Sequence, residues 1–191
     1  MSEKKRVLIV AASPRRNGNS TILAERAAEG ARAAGGEVDL VRIGNMKIAP
    51  CNACDSCRSG QRRDCVTIDD MQGLYPKIKN AWGIIFATPI YWFSASAQMK
   101  TFIDRTYAMT EGDCYGFTGK NIGVILTYAD ADVFASGGVN ALRTFQDICR
   151  YSRANWVGAV YGTADKVGET RSDVGLIQKA YELGNRVASS V

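Results

Sequence analysis

The run Val7-Leu8-Ile9-Val10-Ala11-Ala12 shows no alternation of polar and apolar residues, so a strand built from it has no face to give to water. Strands of that kind lie in parallel sheets covered on both sides by helices. An Ala-rich segment with helical spacing, Ile22 to Ala34, follows it. Apolar runs at Trp82–Thr88, Asn121–Thr127 and Asn155–Tyr161 read as further buried strands, and Glu37–Ile43, which does alternate, as a strand nearer the sheet edge. Helices are predicted from Asp69 and Asp70, with Pro76 kinking or dividing that helix, and from Ser94 to Met109. Two more are expected through Cys149, after a loop at Tyr128–Gly138, and from Ser172 to Ser190. Five strands alternating with five helices predict a doubly wound α/β sheet of order 2-1-3-4-5 in three α/β/α layers. The 191 residues suit a single domain over 1–191, interrupted by a segment without periodicity, Gly44 to Thr67.

In such a sheet ligands bind beyond the carboxyl ends of the strands, where the first and third strands diverge. The turn at that point is Ser13-Pro14-Arg15-Arg16-Asn17-Gly18-Asn19-Ser20-Thr21. It crowds three hydroxyls, two amides, a flexible glycine and two cations onto a helix N-terminus, where unpaired N–H groups and the helix dipole already favour an anion. Neither GxGxxG nor a P-loop ending in Gly-Lys-Ser/Thr is present. Hydroxyls with few glycines suit a terminal monophosphate, held by Ser13, Arg15, Asn17, Asn19, Ser20 and Thr21. The plainer alternative is a well-capped helix, with Asn19 or Ser20 as the cap.

The second loop at the switch point, Pro89-Ile90-Tyr91-Trp92-Phe93, offers a stiff turn, three aromatic faces and backbone N–H groups for ring carbonyls and nitrogens. The same aromatics could simply cover the core. A monophosphate cradle facing an aromatic backbone-donor loop describes a flavin mononucleotide (FMN) pocket, with Thr127 and Gly137 beside it.

Six cysteines and no histidine remove Ser/His and Cys/His catalysis, and leave the chemistry to a cofactor. Cys51, Cys54, Cys57 and Cys65 lie within fifteen residues, spaced x2, x2, x7. Three thiolates two residues apart curl around one corner of a [4Fe–4S] cluster and a distant fourth closes it, as in ferredoxin-type runs. Zinc, which more often takes two separated CxxC pairs, a CxxC dithiol and four free thiols are the other readings. Arg58, Arg62, Arg63 and Lys47 stand near the cysteines against Asp55 and Asp64, a positive rim suited to an acidic electron donor or merely a solvated loop. Cys114 and Cys149 read as packing or incidental residues. The Lys4-Lys5-Arg6 start imitates a signal peptide, but its apolar run of six residues is too short. With no apolar stretch near the ~20 residues of a membrane span and a charge of only +5, the expectation is a cytoplasmic protein bound to neither membrane nor nucleic acid.

Three segments carry a family likeness: Ser-Pro-Arg-Arg-Asn-Gly-Asn-Ser-Thr at 13 to 21, Thr-Pro-Ile-Tyr-Trp-Phe at 88 to 93, and Ser-Ala-Gln-Met-Lys-Thr-Phe-Ile-Asp-Arg at 96 to 105. Together they resemble the NADPH-dependent FMN reductase family of flavodoxin-like proteins, and Cys-x2-Cys-x2-Cys with a fourth Cys and Asp-Asp-Met resembles its iron–sulfur flavoprotein branch. The resemblance implies that Ser13, Arg15, Asn19, Ser20 and Thr21 hold the FMN phosphate and that Pro89 to Phe93 contact the isoalloxazine. It also implies a homodimer or a dimer of dimers, with a cluster near a flavin across a subunit contact. Three functions are then open. They are electron exchange between a [4Fe–4S] cluster and FMN with a ferredoxin-like carrier, a cluster-free NAD(P)H-dependent FMN or quinone reductase, and a zinc-bearing interaction module without enzyme activity.

Overall fold

A computed structural model describes residues 5–59 and 65–190. Its strands are β1 (Arg6–Ala11), β2 (Glu37–Arg42), β3 (Gly83–Tyr91), β4 (Ser94–Ala95), β5 (Asn121–Tyr128) and β6 (Asn155–Thr163). The helices are α1 (Asn19–Ala33), α2 (Tyr75–Asn80), α3 (Ala97–Arg105), α4 (Gly138–Ser152) and α5 (Val174–Ser189). The parallel order is β2-β1-β3-β5-β6, with β4 pairing antiparallel to the end of β3. Once that short arm is set aside, this is the predicted 2-1-3-4-5 order, with the alternating strand at the edge.

Side chains from successive strand residues go to opposite faces, and the core divides accordingly. Val7, Ile9, Ala11, Ile85 and Ile125 pack against α1 and α5. Leu8, Val10, Ile84, Phe86, Val124 and Leu126 pack beneath α2, α3 and α4. Phe86 centres the second face, stacked on Phe145 at 5.3 Å and edge-on to Phe117 at 5.5 Å. On the first face the helices nearly touch. A Cβ on Gly184 would lie 1.9 Å from the Ala27 carbonyl oxygen, and one on Gly30 the same distance from that of Tyr181.

One helix expectation needs correction. Ser94 and Ala95 do not open α3; they turn back along β3, and the helix starts after Ser96, whose Oγ accepts from the Met99 N–H at 3.4 Å. A 3-10 turn, Thr106–Met109, completes the predicted length. Of the two alternatives for the segment from Asp69 and Asp70, kinked or divided, the structure has the divided one. A 3-10 turn, Asp70–Gly73, precedes α2, and Pro76 falls in the first turn of α2, where its missing N–H has no partner to lose.

One buried ion pair ties the aperiodic segment to this frame. Arg105, the last residue of α3, is 1% exposed and grips Asp69 at 2.5 and 3.2 Å, the Ala49 carbonyl at 2.8 Å and the Thr67 carbonyl at 3.2 Å. Asp69 in turn accepts from the N–H groups of Ala49 and Met71. Both ends of the cysteine-bearing stretch are therefore fixed by one guanidinium. Burial pushes the Asp69 carboxyl upward, but the bonds from Arg105 and two N–H groups outweigh it and hold the group below the ordinary carboxylate range.

Two expected outcomes follow from this packing. Gly184→Ala gains about 1 kcal/mol of helix propensity yet must part α1 from α5, so urea unfolding should show a net loss on the order of 2 kcal/mol. An unchanged midpoint would mean that the helices separate freely. Asp69→Asn leaves a buried guanidinium unpaired and should cost about 3–5 kcal/mol. Because the native carboxyl is held low, its stabilisation is complete above the ordinary carboxylate pKa of about 4 and is lost as pH falls below it. The variant should lack that part of the acid dependence of unfolding.

Candidate functional site

The turn after β1 does not behave as a side-chain-capped helix start. The N-cap is Gly18, which has no side chain to offer, and no acceptor among the described residues meets the N–H groups of Asn19 and Ser20. Gly18 has φ −63°, so left-handed backbone is not why it is glycine; a Cβ there would lie 2.2 Å from Ser13 Oγ. The loop is thereby drawn tight. Ser13 is buried and its Oγ accepts from the Arg15 N–H at 3.2 Å. The Ser20 hydroxyl is buried with no hydrogen-bond partner among the described residues, and Thr21 is buried beside it. Arg15, Arg16 and Asn17 are exposed, and neither arginine has an ion-pair partner among the described residues. Asn19 differs from the expectation of a side-chain donor. Its amide donates to the carbonyls of Ala164 and Lys166 at 3.1 and 2.9 Å and accepts from Thr170, so only its backbone N–H faces the turn.

Across the switch point, Pro89, Ile90 and Tyr91 are the end of β3 rather than a loop, and Thr127 pairs with Pro89 in the ladder and is buried. Tyr91 pairs with Ser94, closing a two-residue hairpin turn on Trp92 and Phe93. Both turn residues are left-handed, at φ 47° and 63°, the geometry of a turn that normally selects Asn and Gly. Trp92 is 92% exposed. Gly137, at φ 70°, lies so close that a Cβ there would stand 2.4 Å from Phe93 Cβ. The loop that carries Gly137 thus buttresses the aromatic turn.

The cysteine segment lies at the other end of the sheet. Cys51, Cys54, Cys57 and Cys65 line one cavity of about 660 Å³, walled by Ile103 to Ala108 at the end of α3, Ile148 to Ser152 at the end of α4, and Tyr115 to Phe117. Helices that cover a parallel sheet run against its strands, so these ends mark the amino edge. Ala53 and Asp55, both at φ 53°, alternate with the first three cysteines and bend the chain around them. Among the described residues no group of three Cys, Asp or Glu side chains is placed to hold one metal ion. Hydrogen bonds with Ser56 lower the Cys54 pKa, while burial raises that of Cys57. For Cys65 burial acts upward, but bonds with Thr67 and Tyr75 and the charge of Arg105 prevail and lower it. Arg58 donates to the Tyr107 hydroxyl at 3.2 Å. Arg62, Arg63 and Asp64 of the expected basic rim lie outside the described residues. Cys114 sits exposed in a turn and Cys149 in the core, where burial pushes its thiol up to about 12.

Sequence reasoning did not single out Asp69, Gln72, Tyr75 or Arg105 as parts of this site. Asp69 and Arg105 both follow the last of the four cysteines and are 36 residues apart, and nothing in the sequence reveals that a terminal helix arginine is buried.

The chain is similar to known proteins in sequence and in fold. An iron-sulfur flavoprotein of Archaeoglobus fulgidus is 31% identical over 180 residues, which cover 93% of this chain and 76% of that protein. One of Methanosarcina thermophila is 40% identical over 97 residues, about half of each chain. The solved NAD(P)H:quinone oxidoreductase of Methanothermobacter marburgensis superimposes with a TM-score of 0.74 at 18% identity, covering 97% of this chain and 98% of that one, a likeness of fold. The family model described as NADPH-dependent FMN reductase matches residues 5–168. The chain, flavodoxin-like in fold, therefore belongs to the NADPH-dependent FMN reductase family of oxidoreductases.

Proposed function

We propose that the chain binds FMN at the carboxyl edge and a [4Fe–4S] cluster in the cysteine-lined cavity, and that it passes electrons between them as an iron–sulfur flavoprotein. The observation that carries this reading is that four thiols, the first three spaced two residues apart along one bend of the chain, share one cavity. A cubane takes one thiolate on each of its four irons, and a CxxCxxC run with a more distant fourth cysteine is the arrangement that ferredoxin-type sites begin with. Arg105, on the same wall, keeps its Nε–H buried without a partner among the described residues, a donor that favours an anionic occupant.

At the carboxyl edge the residues fit a phosphate. The buried Ser20 hydroxyl and the N–H groups of Asn19 and Ser20 wait for an acceptor, Thr21 closes the turn, and Arg15 supplies charge at the rim. When bound, FMN supplies both hydride and single-electron chemistry. The chain's part is to anchor it through Ser13, Arg15, Asn17, Asn19, Ser20 and Thr21, and to bound the ring with Pro89 to Phe93 and Thr127. No proton-transferring side chain is required.

The two sites lie at opposite edges of the sheet, and β5 alone, with eight residues, spans about 26 Å at 3.3 Å per residue. Electron exchange is therefore assigned to a contact between subunits of a homodimer or homotetramer, the cluster of one facing the flavin of another. The external donor is a ferredoxin-like carrier or NAD(P)H, in a cytoplasm that keeps the thiols reduced. Among the described residues no helix is long and apolar enough to cross a membrane. The family match favours a second reading, a cluster-free NAD(P)H-dependent FMN or quinone reductase. Rapid NADPH oxidation by iron-free, FMN-loaded protein would select it.

Anaerobically reconstituted Cys51→Ser should lose the iron–sulfur visible absorbance while keeping stoichiometric FMN; joint loss of both would break the separation of the sites. Ser20→Ala removes an unpartnered buried hydroxyl, so the flavin-free protein should be no less stable. FMN, followed by quenching of its fluorescence, should bind about tenfold more weakly, on the order of 1.4 kcal/mol for a hydrogen bond to a charged group.

A further inference from the structure

Asn19 is the first residue of α1, and its buried side chain points away from the turn that the helix closes. The NH2 group donates to the carbonyls of Ala164 and Lys166 at 3.1 and 2.9 Å. The amide oxygen accepts from both the N–H and the hydroxyl of Thr170, each at 3.3 Å. Two donors and two lone pairs are the whole capacity of a primary amide, so this one is fully used within the chain. The segment it grips connects β6 to α5. Ala164 and Thr170 are buried, while every residue between them is exposed or half-buried, so the segment is fastened at its two inward points. It is also tied to the loop after β5, where the Ala164 N–H donates to the Tyr128 carbonyl at 2.6 Å and the Thr163 hydroxyl to that of Asp130 at 2.9 Å.

The backbone N–H groups of an opening helix turn bind an anion well only when they converge on one point. Here the N-cap is glycine, which lends no side chain to fix their direction. Asn19 Cα stands between the two peptides in question, with its own N–H on one side and the Ser20 N–H on the other. Anchoring its side chain therefore fixes the orientation of both. Donors ordered during folding bind more tightly than donors that must be ordered by the ligand. The Ser20 hydroxyl, buried and without a partner among the described residues, belongs to the same turn. We propose that Asn19 is a positioning residue for the flavin phosphate: by gripping the connection between β6 and α5 it aims these two N–H groups and the Ser20 hydroxyl, and so sets the preference of the site for FMN over riboflavin. This rests on the FMN reading above.

The test measures the affinity of the full chain, freed of flavin, for FMN and for riboflavin by quenching of flavin fluorescence. The two ligands share the ring and the ribityl chain and differ in the phosphate. Asn19→Ala should bind FMN about tenfold more weakly while its affinity for riboflavin stays within about twofold of wild type. Thr170→Val removes one of the four bonds from a residue outside the phosphate turn, and should shift the ratio of the two affinities in the same direction by about two- to threefold. Equal weakening of both flavins by Asn19→Ala, or an unchanged affinity for FMN, overturns the assignment, because a residue that only holds the fold together has no means of telling the two ligands apart. If Asn19→Ala does not fold, Thr170→Val decides: a shifted ratio sustains the assignment and an unshifted one overturns it. Wild-type protein that binds FMN no more tightly than riboflavin instead overturns the phosphate reading, a result separable from the others.

Discussion

The pair formed by Arg105 and Asp69 decides where the cysteines are. A buried ion pair adds little net stability relative to well-packed apolar residues, because two charges must first be taken out of water. Its value here is positional. Among its described residues the stretch that carries the four cysteines has no ladder and no helix of more than one turn to define its path, and closing such a loop costs conformational entropy. Arg105 meets the carbonyls on either side, Ala49 before the first cysteine and Thr67 after the last, while Asp69 returns bonds to the backbone of Ala49 and Met71. One rigid fork thus replaces the missing secondary structure. Lysine, a point charge without the planar fork, does not make the same set of bonds.

The sheet imposes the other constraint. Helices cover both faces, so only the two edges where strands and helices begin or end leave backbone groups for a ligand. At the carboxyl edge the opening turn of α1 leaves the N–H groups of Asn19 and Ser20 without an acceptor among the described residues because the N-cap is glycine, and glycine is there because Ser13 stands where a side chain would be. Gly44 is constrained in the same way, since a Cβ on it would lie 2.0 Å from the Ser13 carbonyl oxygen. The helix is denied a side-chain cap, which is what the phosphate reading proposed above requires of this turn. At the amino edge the returning ends of α3 and α4 and the connection to β5 leave the cavity that the cysteine segment closes.

These differences explain what a reader of the sequence is able to see. Continuous apolar strands and 3.6-residue periodicity report burial directly, so the sheet order and the two layers were legible from Val7–Ala12, Trp82–Thr88 and the later runs. The phosphate turn was legible as a concentration of donors, but not the division of labour within it. Asn19 looks identical to Asn17 in sequence, yet one amide is spent on the loop around Ala164 and Thr170 while the other is exposed. The hairpin at Ser94 was missed because two left-handed aromatics contradict the composition expected of such a turn. Arg105 was missed because arginine at a helix C-terminus ordinarily serves the helix dipole from the surface, and only the tertiary fold reveals a carboxylate waiting beside it.

That contradiction at the turn is itself informative. Left-handed backbone at Trp92 and at Phe93 costs about 1–3 kcal/mol each, and glycine or asparagine would remove most of it. Phe93 recovers part through Gly137 and through its carbonyl, which accepts from Asn140 at 3.5 Å. Trp92 is almost wholly exposed, so packing among the described residues does not offset its strain. On the FMN reading proposed above, the flat ring of the ligand would cover Trp92 while its phosphate would accept from the Ser20 hydroxyl and the N–H groups of Asn19 and Ser20, so that one ligand would offset both costs.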